Sequence, residues 1–416
     1  MSFIKVTGGN RLYGDVRIHG CKNAVLPIIA ATLLNGGVNV IHNCPRLSDV
    51  FSSVKILESL GASVCFENDT LTVDSSSVNC SAIGAELMKA LRSSVVFLGA
   101  LLSRCGRACV SMPGGCDIGT RPIDIHLTSF ERMGVEVKCT DGEVECSVAQ
   151  LHGEDIYLPF PSVGATENII LLSILGKGVT RIHNAAREPE IADLQAFLNS
   201  MGARVYGAGG CIITIYPVES LSDSEYTVMP DRIEASTFAC AVAATGGRIY
   251  IDGIKPDYLA SVLNVLRSGG AFVAEYPSGI FMSCLSGFRC PPIVSTGPYP
   301  GFPTDVQSLI MSVMSTSQGE GIIKENIFEN RFGHAAELVK MGADISVSGS
   351  SAFIKGSELC GCSVCAQDLR SGAALVVASL AARGDSVIER AEYIDRGYDG
   401  FVNKLNSIGA AVERIE

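Results

Sequence analysis

One pattern of apolar and polar positions recurs six times along the chain. In each copy, apolar residues at helical spacing lead to a glycine, and alternating apolar and polar residues follow it. The copies are Leu60-Gly61-Ala62-Ser63-Val64, Met133-Gly134-Val135-Glu136-Val137, Met201-Gly202-Ala203-Arg204-Val205, Gly269-Gly270-Ala271-Phe272-Val273, Met341-Gly342-Ala343-Asp344-Ile345 and Ile408-Gly409-Ala410-Ala411-Val412. Their glycines are roughly 70 residues apart, which indicates a repeated structural unit. We therefore predict six units, in each of which the glycine caps a helix and the next residues begin a strand.

Each unit also has a second helical segment upstream, made of small apolar residues, which ends at a glycine before another strand. The clearest examples of this glycine and strand are Gly37-Val38-Asn39-Val40-Ile41, Gly178-Val179-Thr180-Arg181-Ile182 and Gly247-Arg248-Ile249-Tyr250-Ile251. A unit thus consists of helix, strand, helix and strand, with further strands between them, which is an α/β pattern. Three units per domain, with a cleft between two domains, is the simplest arrangement.

Equivalent loops follow the first strand of the units and hold an unusual share of the arginines and carboxylates. They are residues 43–46, the stretch around Cys116, and residues 184–190, 253–257, 325–331 and 390–396. If like units pack symmetrically, these loops can converge and build a site from residues that are distant in sequence.

Length and composition fit this two-domain prediction. The chain has 416 residues, of which 47% are hydrophobic and 18% charged, enough for a large buried core. Its longest apolar runs are too short to span a membrane. The first six residues alternate like a strand and lack the features of a secretory signal, so we expect a cytoplasmic protein in which the 16 cysteines are reduced thiols.

Charge and cysteine spacing argue against some partners. The formal net charge of −11 disfavours nucleic acid and anionic membrane surfaces. Cys360, Cys362 and Cys365 are the one cluster with spacing suited to a metal, but no second cysteine pair or histidine lies nearby in sequence. We therefore expect no metal site.

The stretch from Pro113 to His126 is the strongest candidate for chemistry. Gly114 and Gly115 let the backbone take positive φ and approach a ligand closely, which places Cys116 on a surface loop. A thiol there can react if nearby positive charge favours its thiolate, although a free cysteine is more often a small hydrophobic residue. Arg121 can bind a carboxylate or phosphate. A nucleotide-binding P-loop is excluded, because Thr120 and Arg121 stand where that motif requires Lys and Ser or Thr.

With these motifs in place, the chain closely resembles the UDP-N-acetylglucosamine enolpyruvyl transferases over essentially its full length. Nine motifs in the right order carry the resemblance: Gly20-Cys21-Lys22-Asn23-Ala24, Pro113 to His126, Ser162-Val163-Gly164-Ala165-Thr166, Asn184 to Glu190, Pro230-Asp231-Arg232-Ile233-Glu234, Phe302-Pro303-Thr304-Asp305, Phe328-Glu329-Asn330-Arg331-Phe332, Asp368-Leu369-Arg370 and Asp395-Arg396-Gly397-Tyr398.

The resemblance implies an inside-out α/β barrel of two domains, each built from three βαβαββ repeats, with the active site in the interdomain cleft. Residues 1–21 with 230–416 would form the domain that carries Asp305 and Arg396, and residues 22–229 the domain that carries the Cys116 loop. Such enzymes add the sugar 3′-hydroxyl to C2 of phosphoenolpyruvate and then eliminate phosphate, in the first committed step of peptidoglycan synthesis. They use no cofactor or metal, and we expect a monomer whose partners are these two small substrates.

The resemblance also assigns roles to residues. Lys22, Arg121 and Arg396 would bind the anionic groups of phosphoenolpyruvate, with Arg92 as a further substrate contact. Asp305 matches the carboxylate that accepts the hydroxyl proton. Cys116 matches the cysteine that protonates the C3 methylene or helps to release product, and that the epoxide fosfomycin modifies. Further substrate-binding positions are Asn23, Pro122, Ile123, Asp124, Ile125, Ser162, Val163, Ile327, Arg331 and Arg370.

Several alternatives remain open at this stage. Asp368 and Arg370 could pair only to hold a loop, and His126 could simply pack beneath one. Some family members have lysine where Phe160 stands, and many have histidine where Tyr299 stands. Two other functions therefore compete: a 5-enolpyruvylshikimate-3-phosphate synthase, which has the same architecture but lacks the cysteine loop, and an inactive paralogue that binds nucleotide sugar.

Overall fold

The computed structural model describes residues 2–90, 94–111, 123–140 and 142–415. The chain forms two compact units. Residues 1–19 and 230–416 belong to the first, and the second is drawn from residues 20–229. The chain thus begins in one unit, completes the other and returns.

Short strands and helices alternate throughout the described residues. The strands are β1 (Phe3–Thr7), β2 (Leu12–Arg17), β3 (Val38–His42), β4 (Ser63–Glu67), β5 (Thr70–Asp74), β6 (Ala82–Ile83), β7 (Arg107–Ser111), β8 (Glu136–Thr140), β9 (Glu143–Ser147), β10 (Asp155–Tyr157), β11 (Thr180–His183), β12 (Arg204–Tyr206), β13 (Ile212–Tyr216), β14 (Ser224–Thr227), β15 (Gly247–Asp252), β16 (Phe272–Tyr276), β17 (Gly279–Ser283), β18 (Ile293–Ser295), β19 (Glu320–Lys324), β20 (Asp344–Ser348), β21 (Ser351–Lys355), β22 (Ser363–Cys365), β23 (Asp385–Glu389) and β24 (Ala411–Ile415). The helices are α1 (Lys22–Ala31), α2 (Ser48–Ser59), α3 (Ala85–Ala90), α4 (Phe97–Cys105), α5 (Asp124–Arg132), α6 (Val163–Ser173), α7 (Pro189–Ser200), α8 (Arg232–Thr245), α9 (Ala260–Ser268), α10 (Thr304–Ser315), α11 (Ala335–Lys340), α12 (Leu369–Ala381) and α13 (Phe401–Ser407). Short 3-10 segments span Ser94–Val96, Pro256–Leu259 and Ala391–Arg396.

In the described ranges these strands form six four-stranded sheets with one topology. The sheet β18-β19-β21-β20 shows it: β18 pairs parallel with β19, and β19, β21 and β20 then pair antiparallel. With α10 between β18 and β19, and α11 between β19 and β20, this is one βαβαββ repeat. The predicted sixfold repeat is therefore confirmed.

The two units close on themselves by pairing strands that are distant in sequence. In the first unit, β1 pairs with both β23 and β24, and β2 pairs parallel with β15. In the second, β14 pairs parallel with β3. Each of these pairings completes a four-stranded sheet whose other strands come from elsewhere in the chain.

The six repeat glycines adopt the conformation that the sequence predicts. Each lies just past a helix, and their φ angles fall between 92° and 101°. A side chain at positive φ brings Cβ against the backbone, so glycine is favoured at this C-terminal position of a helix. The predicted helix caps are confirmed.

Buried helices form the centre of each unit. In the first unit, α8, α10 and α12 are buried along nearly their whole length. Ser308 Oγ donates to Arg370 O at 3.1 Å, and Ser312 Oγ donates to Ala374 O at 2.7 Å. Because both pairs have the same sequence offset, α10 and α12 run parallel and begin at the same end.

The second unit has an equivalent arrangement of α1, α4 and α6. All three are rich in fully buried residues. The backbone N–H of Gly99 in α4 donates to Asn168 Oδ1 in α6 at 2.8 Å, and a Cβ at Gly99 would lie only 2.4 Å from Asn168 O. Glycine is thus required where these two helices approach closely. None of the helices in the described ranges has the length and apolar composition that a bilayer crossing needs.

Candidate active site

Asp305 lies in the first turn of α10. Pro303 precedes the helix with φ −71° and ψ 133°, an extended conformation that proline favours. The helix therefore begins at Thr304, and the Asp305 carboxylate lies near the positive end of the helix dipole.

Two arginines from other segments bind the Asp305 carboxylate, one on each oxygen. Arg331 Nη2 lies 3.1 Å from Oδ1, and Arg370 Nη2 lies 3.1 Å from Oδ2. The arginine side chains are 5% and 4% exposed, whereas that of Asp305 is 28% exposed. The carboxylate is thus held by cations that are more deeply buried than itself. Of the residues that the sequence predicted for the site, these three are in direct contact.

Arg370 is supported by an aromatic and hydroxyl network. Its guanidinium lies 5.5 Å from the centre of the Tyr398 ring, and the Tyr398 hydroxyl lies 2.8 Å from Thr237 Oγ1 in α8. Burial opposes the charge of Arg370, but the Asp305 carboxylate, followed by Tyr398 and Asp231, more than offsets it and raises its pKa. Arg370 therefore stays charged. Burial also raises the pKa of Tyr398, which stays neutral at physiological pH.

Asp368 caps a helix, and its side chain does not pair with the guanidinium of Arg370 as one alternative from the sequence had it. Its side chain caps α12 by accepting the backbone N–H groups of Arg370 at 2.8 Å and Ser371 at 3.1 Å. The Arg370 guanidinium meets Asp305 instead. Asp368 thus stabilises the beginning of the helix through backbone contacts, while the side chain of Arg370 serves the candidate site.

Lys22 forms a largely buried ion pair in the second unit. Its Nζ lies 2.8 Å from Asp49 Oδ2, and the two side chains are 12% and 4% exposed. Lys22 is the first residue of α1, and Asp49 lies in the first turn of α2. The pair fixes Lys22 at a helix N-terminus, next to the predicted substrate contact Asn23.

The other described substrate contacts predicted in this unit also lie where helices begin. Ile123, Asp124 and Ile125 stand at the start of α5, and Ser162 and Val163 at the start of α6. Ser162 Oγ accepts the N–H of Ala165 at 3.3 Å and so acts as an N-cap. Helix N-termini favour anions, which suits a phosphate-bearing substrate.

The remaining predicted residues can be placed in part. Arg396 is the last residue of the 3-10 segment Ala391–Arg396, and Ile327 lies in the loop after β19. Arg92, Cys116, Arg121 and Pro122 lie outside the described residues.

The two positions that differ from family patterns have distinct surroundings. Phe160 lies just after β10 and is 41% exposed. Tyr299 presents its ring to Arg232, whose guanidinium carbon lies 5.6 Å from the ring centre, and its hydroxyl donates to Asp257 O at 3.4 Å. An aromatic surface that attracts a cation thus stands where many members have histidine.

His126 is a buried residue of α5. Its Nδ1 lies 3.1 Å from the amide nitrogen of Asn168, and burial lowers the pKa of His126 to about 4. The ring is therefore neutral at physiological pH, with Nδ1 accepting the hydrogen bond. This environment agrees with the packing role that the sequence left open for His126.

The cysteine cluster at Cys360, Cys362 and Cys365 is not among the described side-chain groups that could share a metal ion. The group that has suitable spacing consists of Cys109, Glu143 and Glu145, on neighbouring strands of an outer sheet. Two of its three members are exposed acidic residues, which commonly cluster without a metal.

Sequence reasoning missed Asp49, Thr237 and Tyr398. Tyr398 belongs to a recognised motif, but only the fold shows its ring against Arg370. Asp49 and Thr237 lie in helices far in sequence from what they support, and the sequence offered no signal for them.

With this geometry in view, comparison with known proteins identifies the family. Residues 6–405 match the model of EPSP synthase (3-phosphoshikimate 1-carboxyvinyltransferase). The chain belongs to this enolpyruvyl transferase family. It is 48% identical to UDP-N-acetylglucosamine 1-carboxyvinyltransferase 2 of Caldanaerobacter subterraneus subsp. tengcongensis over 100% of both chains. It is 46% identical to UDP-N-acetylglucosamine 1-carboxyvinyltransferase 1 of Symbiobacterium thermophilum, over 99% of this chain and 94% of the relative.

Solved structures of enolpyruvyl transferases share the fold. The enolpyruvyl transferase NikO from Streptomyces tendae matches with a TM-score of 0.89 and 26% identity, over 99% of this chain and 98% of its own. EPSP synthase from Acinetobacter baumannii matches in fold alone, with a TM-score of 0.75 and 17% identity over 100% of both chains. The inside-out α/β barrel predicted from the resemblance is confirmed.

Proposed function

We propose that this enolpyruvyl transferase moves the enolpyruvyl group of phosphoenolpyruvate to the 3′-hydroxyl of UDP-N-acetylglucosamine and releases phosphate. The observation that carries the proposal is the 48% identity, over the full length of both chains, to a relative of that name. The reaction would be the first committed step of peptidoglycan synthesis. A cytoplasmic location and a monomeric state remain predictions.

The geometry around Asp305 supports a role in proton transfer. A carboxylate with an arginine on each oxygen is fixed in orientation. It can then accept the proton of the 3′-hydroxyl as that oxygen attacks C2 of the enol ether. Arg331 and Arg370 would act by orienting the carboxylate, and also by keeping its charge compensated in a partly buried place.

The cations for phosphoenolpyruvate are Lys22, Arg121 and Arg396 in this proposal. Phosphate and carboxylate groups need several positive charges, and these residues come from segments far apart in sequence. For Cys116 two roles stay open: it donates a proton to the C3 methylene, or it assists product release. The domain boundaries at residues 21/22 and 229/230, and the location of the site in a cleft, also remain predictions.

The second candidate acceptor is shikimate 3-phosphate, because the matching family model carries the name of that synthase. Identity distinguishes the two. The chain shares 17% with the synthase from A. baumannii, against 48% with the nucleotide-sugar enzyme.

The test is phosphate release from phosphoenolpyruvate with each acceptor in turn, with mass spectrometry of the products. We expect release only with UDP-N-acetylglucosamine, because phosphate leaves after the acceptor hydroxyl has added to C2. Asp305→Asn serves as the control and should lose most of the activity. Equal release with shikimate 3-phosphate would overturn the proposed acceptor. Binding of the nucleotide sugar with no release from either acceptor would identify an inactive paralogue.

A further inference from the structure

Glu325 is a buried carboxylate next to the residues that hold Asp305. It directly follows β19 and is 2% exposed. Its Oε1 accepts Thr296 Oγ1 at 3.0 Å and the backbone N–H groups of Ile327 at 2.8 Å and Phe328 at 3.2 Å, while its Oε2 accepts Thr304 Oγ1 at 3.0 Å. The two oxygens thus receive four hydrogen bonds from three separate segments.

These bonds connect the two sides of the Asp305–Arg331 pair. Thr304 begins α10 and directly precedes Asp305. Ile327 and Phe328 begin the loop that leads to Arg331, and the Arg331 guanidinium lies 5.5 Å from the centre of the Phe328 ring. Glu325 therefore joins the helix that carries the carboxylate to the loop that carries its arginine.

The equivalent loops of other repeats show that the fold alone does not require this carboxylate. Asn326 follows Glu325 and donates its side-chain amide to Thr296 O at 2.8 Å. Asn43 and Asn184 make the same contact in their own repeats, each at 2.9 Å to a backbone carbonyl. Each of those asparagines directly follows the last paired residue of its strand, His42 or His183, whereas Glu325 stands between the corresponding Lys324 and Asn326. The asparagine contact is thus common to these three repeats, whereas a carboxylate stands directly before the asparagine in the repeat that carries Asp305.

We propose that Glu325 is a positioning residue for the transfer reaction, which sets the placement of Asp305 against Arg331. This inference rests on the proposed function, in which Asp305 accepts the hydroxyl proton. Removal of the carboxylate leaves two backbone N–H groups and two hydroxyls without their shared acceptor. The start of α10 and the loop then lose their common attachment, and displacement of a reacting group by about 1 Å can reduce the rate roughly 100-fold.

Glu337 offers a matched control in the same unit. It is also a buried carboxylate, 6% exposed, and accepts the N–H of Cys365 at 3.0 Å and Lys340 Nζ at 2.7 Å. These bonds join α11 to β22 and involve none of the residues around Asp305. Glu337→Ala therefore reports the effect of losing a buried carboxylate on the unit in general.

The experiment compares Glu325→Ala, Glu325→Gln and Glu337→Ala with the wild-type enzyme. It measures melting temperature, and kcat and KM for phosphoenolpyruvate and UDP-N-acetylglucosamine. We expect Glu325→Ala to lower kcat roughly 100-fold, with a smaller rise in KM for the nucleotide sugar because Glu325 also holds the N–H of Ile327, a predicted substrate contact. Glu325→Gln should recover at least about tenfold, because its amide oxygen can still accept the two N–H groups and its NH2 group can donate to Thr304. Glu337→Ala should keep kcat within about threefold at a similar loss of melting temperature.

The outcomes separate the inference from the proposed function. If Glu325→Ala and Glu337→Ala lower kcat equally at equal loss of melting temperature, Glu325 has only a structural role and the inference is wrong. If Glu325→Gln is as slow as Glu325→Ala, the hydrogen bonds accepted by this side chain do not position Asp305, and the inference is also wrong. A wild-type enzyme that transfers to neither acceptor would overturn the proposed function, and this inference with it.

Discussion

Replacing Arg370 by methionine tests whether a buried ion pair holds the Asp305 carboxylate. Methionine keeps most of the side-chain volume and removes the charge. Arg370 is 4% exposed and lies 3.1 Å from Asp305 Oδ2, and its guanidinium also faces the Tyr398 ring. The substitution therefore removes one of two cations from a partly buried carboxylate and the cation from an aromatic face.

The expected loss of stability follows from this geometry. Breaking a buried ion pair by removing one partner costs about 3–5 kcal/mol, because the other charge stays buried. Here Arg331 remains 3.1 Å from Asp305 Oδ1, so we expect the lower end, about 3 kcal/mol. A structural unit of this size loses roughly 2–4 °C of melting temperature per kcal/mol, which gives roughly 6–12 °C. Arg370→Lys should cost less, about 1 kcal/mol, because it keeps the charge and loses only the planar fork.

Scanning calorimetry of the purified variants, together with the phosphate-release assay, measures both consequences. Arg383→Met is the control, because Arg383 Nε pairs with Glu358 at 2.9 Å with the two side chains 73% and 65% exposed. An exposed pair of this kind contributes about 0–1 kcal/mol, so its loss should hardly move the melting temperature. We expect Arg370→Met to lower kcat as well, since the carboxylate loses half of its support. A melting temperature for Arg370→Met within about 2 °C of that of Arg383→Met would refute the reasoning.

Two further predictions concern stability. Burial holds the pKa of His126 at about 4, below the roughly 6.5 of an unfolded chain, so the unfolded state binds a proton first and stability falls as pH drops below 6.5. The free energy of unfolding, measured with denaturant, should therefore fall by about 2 kcal/mol between pH 7.5 and pH 5 through this residue. His126→Gln should remove this pH-dependent loss. His152→Gln, at an exposed position, should leave it in place. Gly202 has φ 97° with open space around a built Cβ, so Gly202→Ala should cost about 1–2 kcal/mol through backbone strain alone. Gly84→Ala, also in open space but without positive φ, should be neutral or slightly stabilising, and an equal cost at both sites would contradict this explanation.

Much of the candidate site could be named from sequence, but its contacts could not. Motifs located Asp305, Arg331 and Arg370 individually. A pair of Asp368 and Arg370 within one loop was one open alternative, whereas the Arg370 side chain reaches Asp305, which is 65 positions away. The Asp368 side chain accepts hydrogen bonds from the backbone N–H groups that begin α12. Any helix start has such unpaired N–H groups, so this contact is local. The partner of the Arg370 side chain depends on which helix lies beside it, and local sequence contains no information on that.

The sequence by itself determined the elements of this protein and their repetition. The glycine after each helix is fixed locally, because only a residue without Cβ accepts φ near 100° at low cost. Alternating apolar positions fix the strands for a similarly local reason. Tertiary structure alone decided which side chains meet: Lys22 with Asp49, Tyr398 with Arg370, and Glu325 with both Thr304 and the loop before Arg331. Buried charges and hydroxyls must find partners where the folded backbone brings them together, so these pairings follow from the packing of helices that are far apart in sequence.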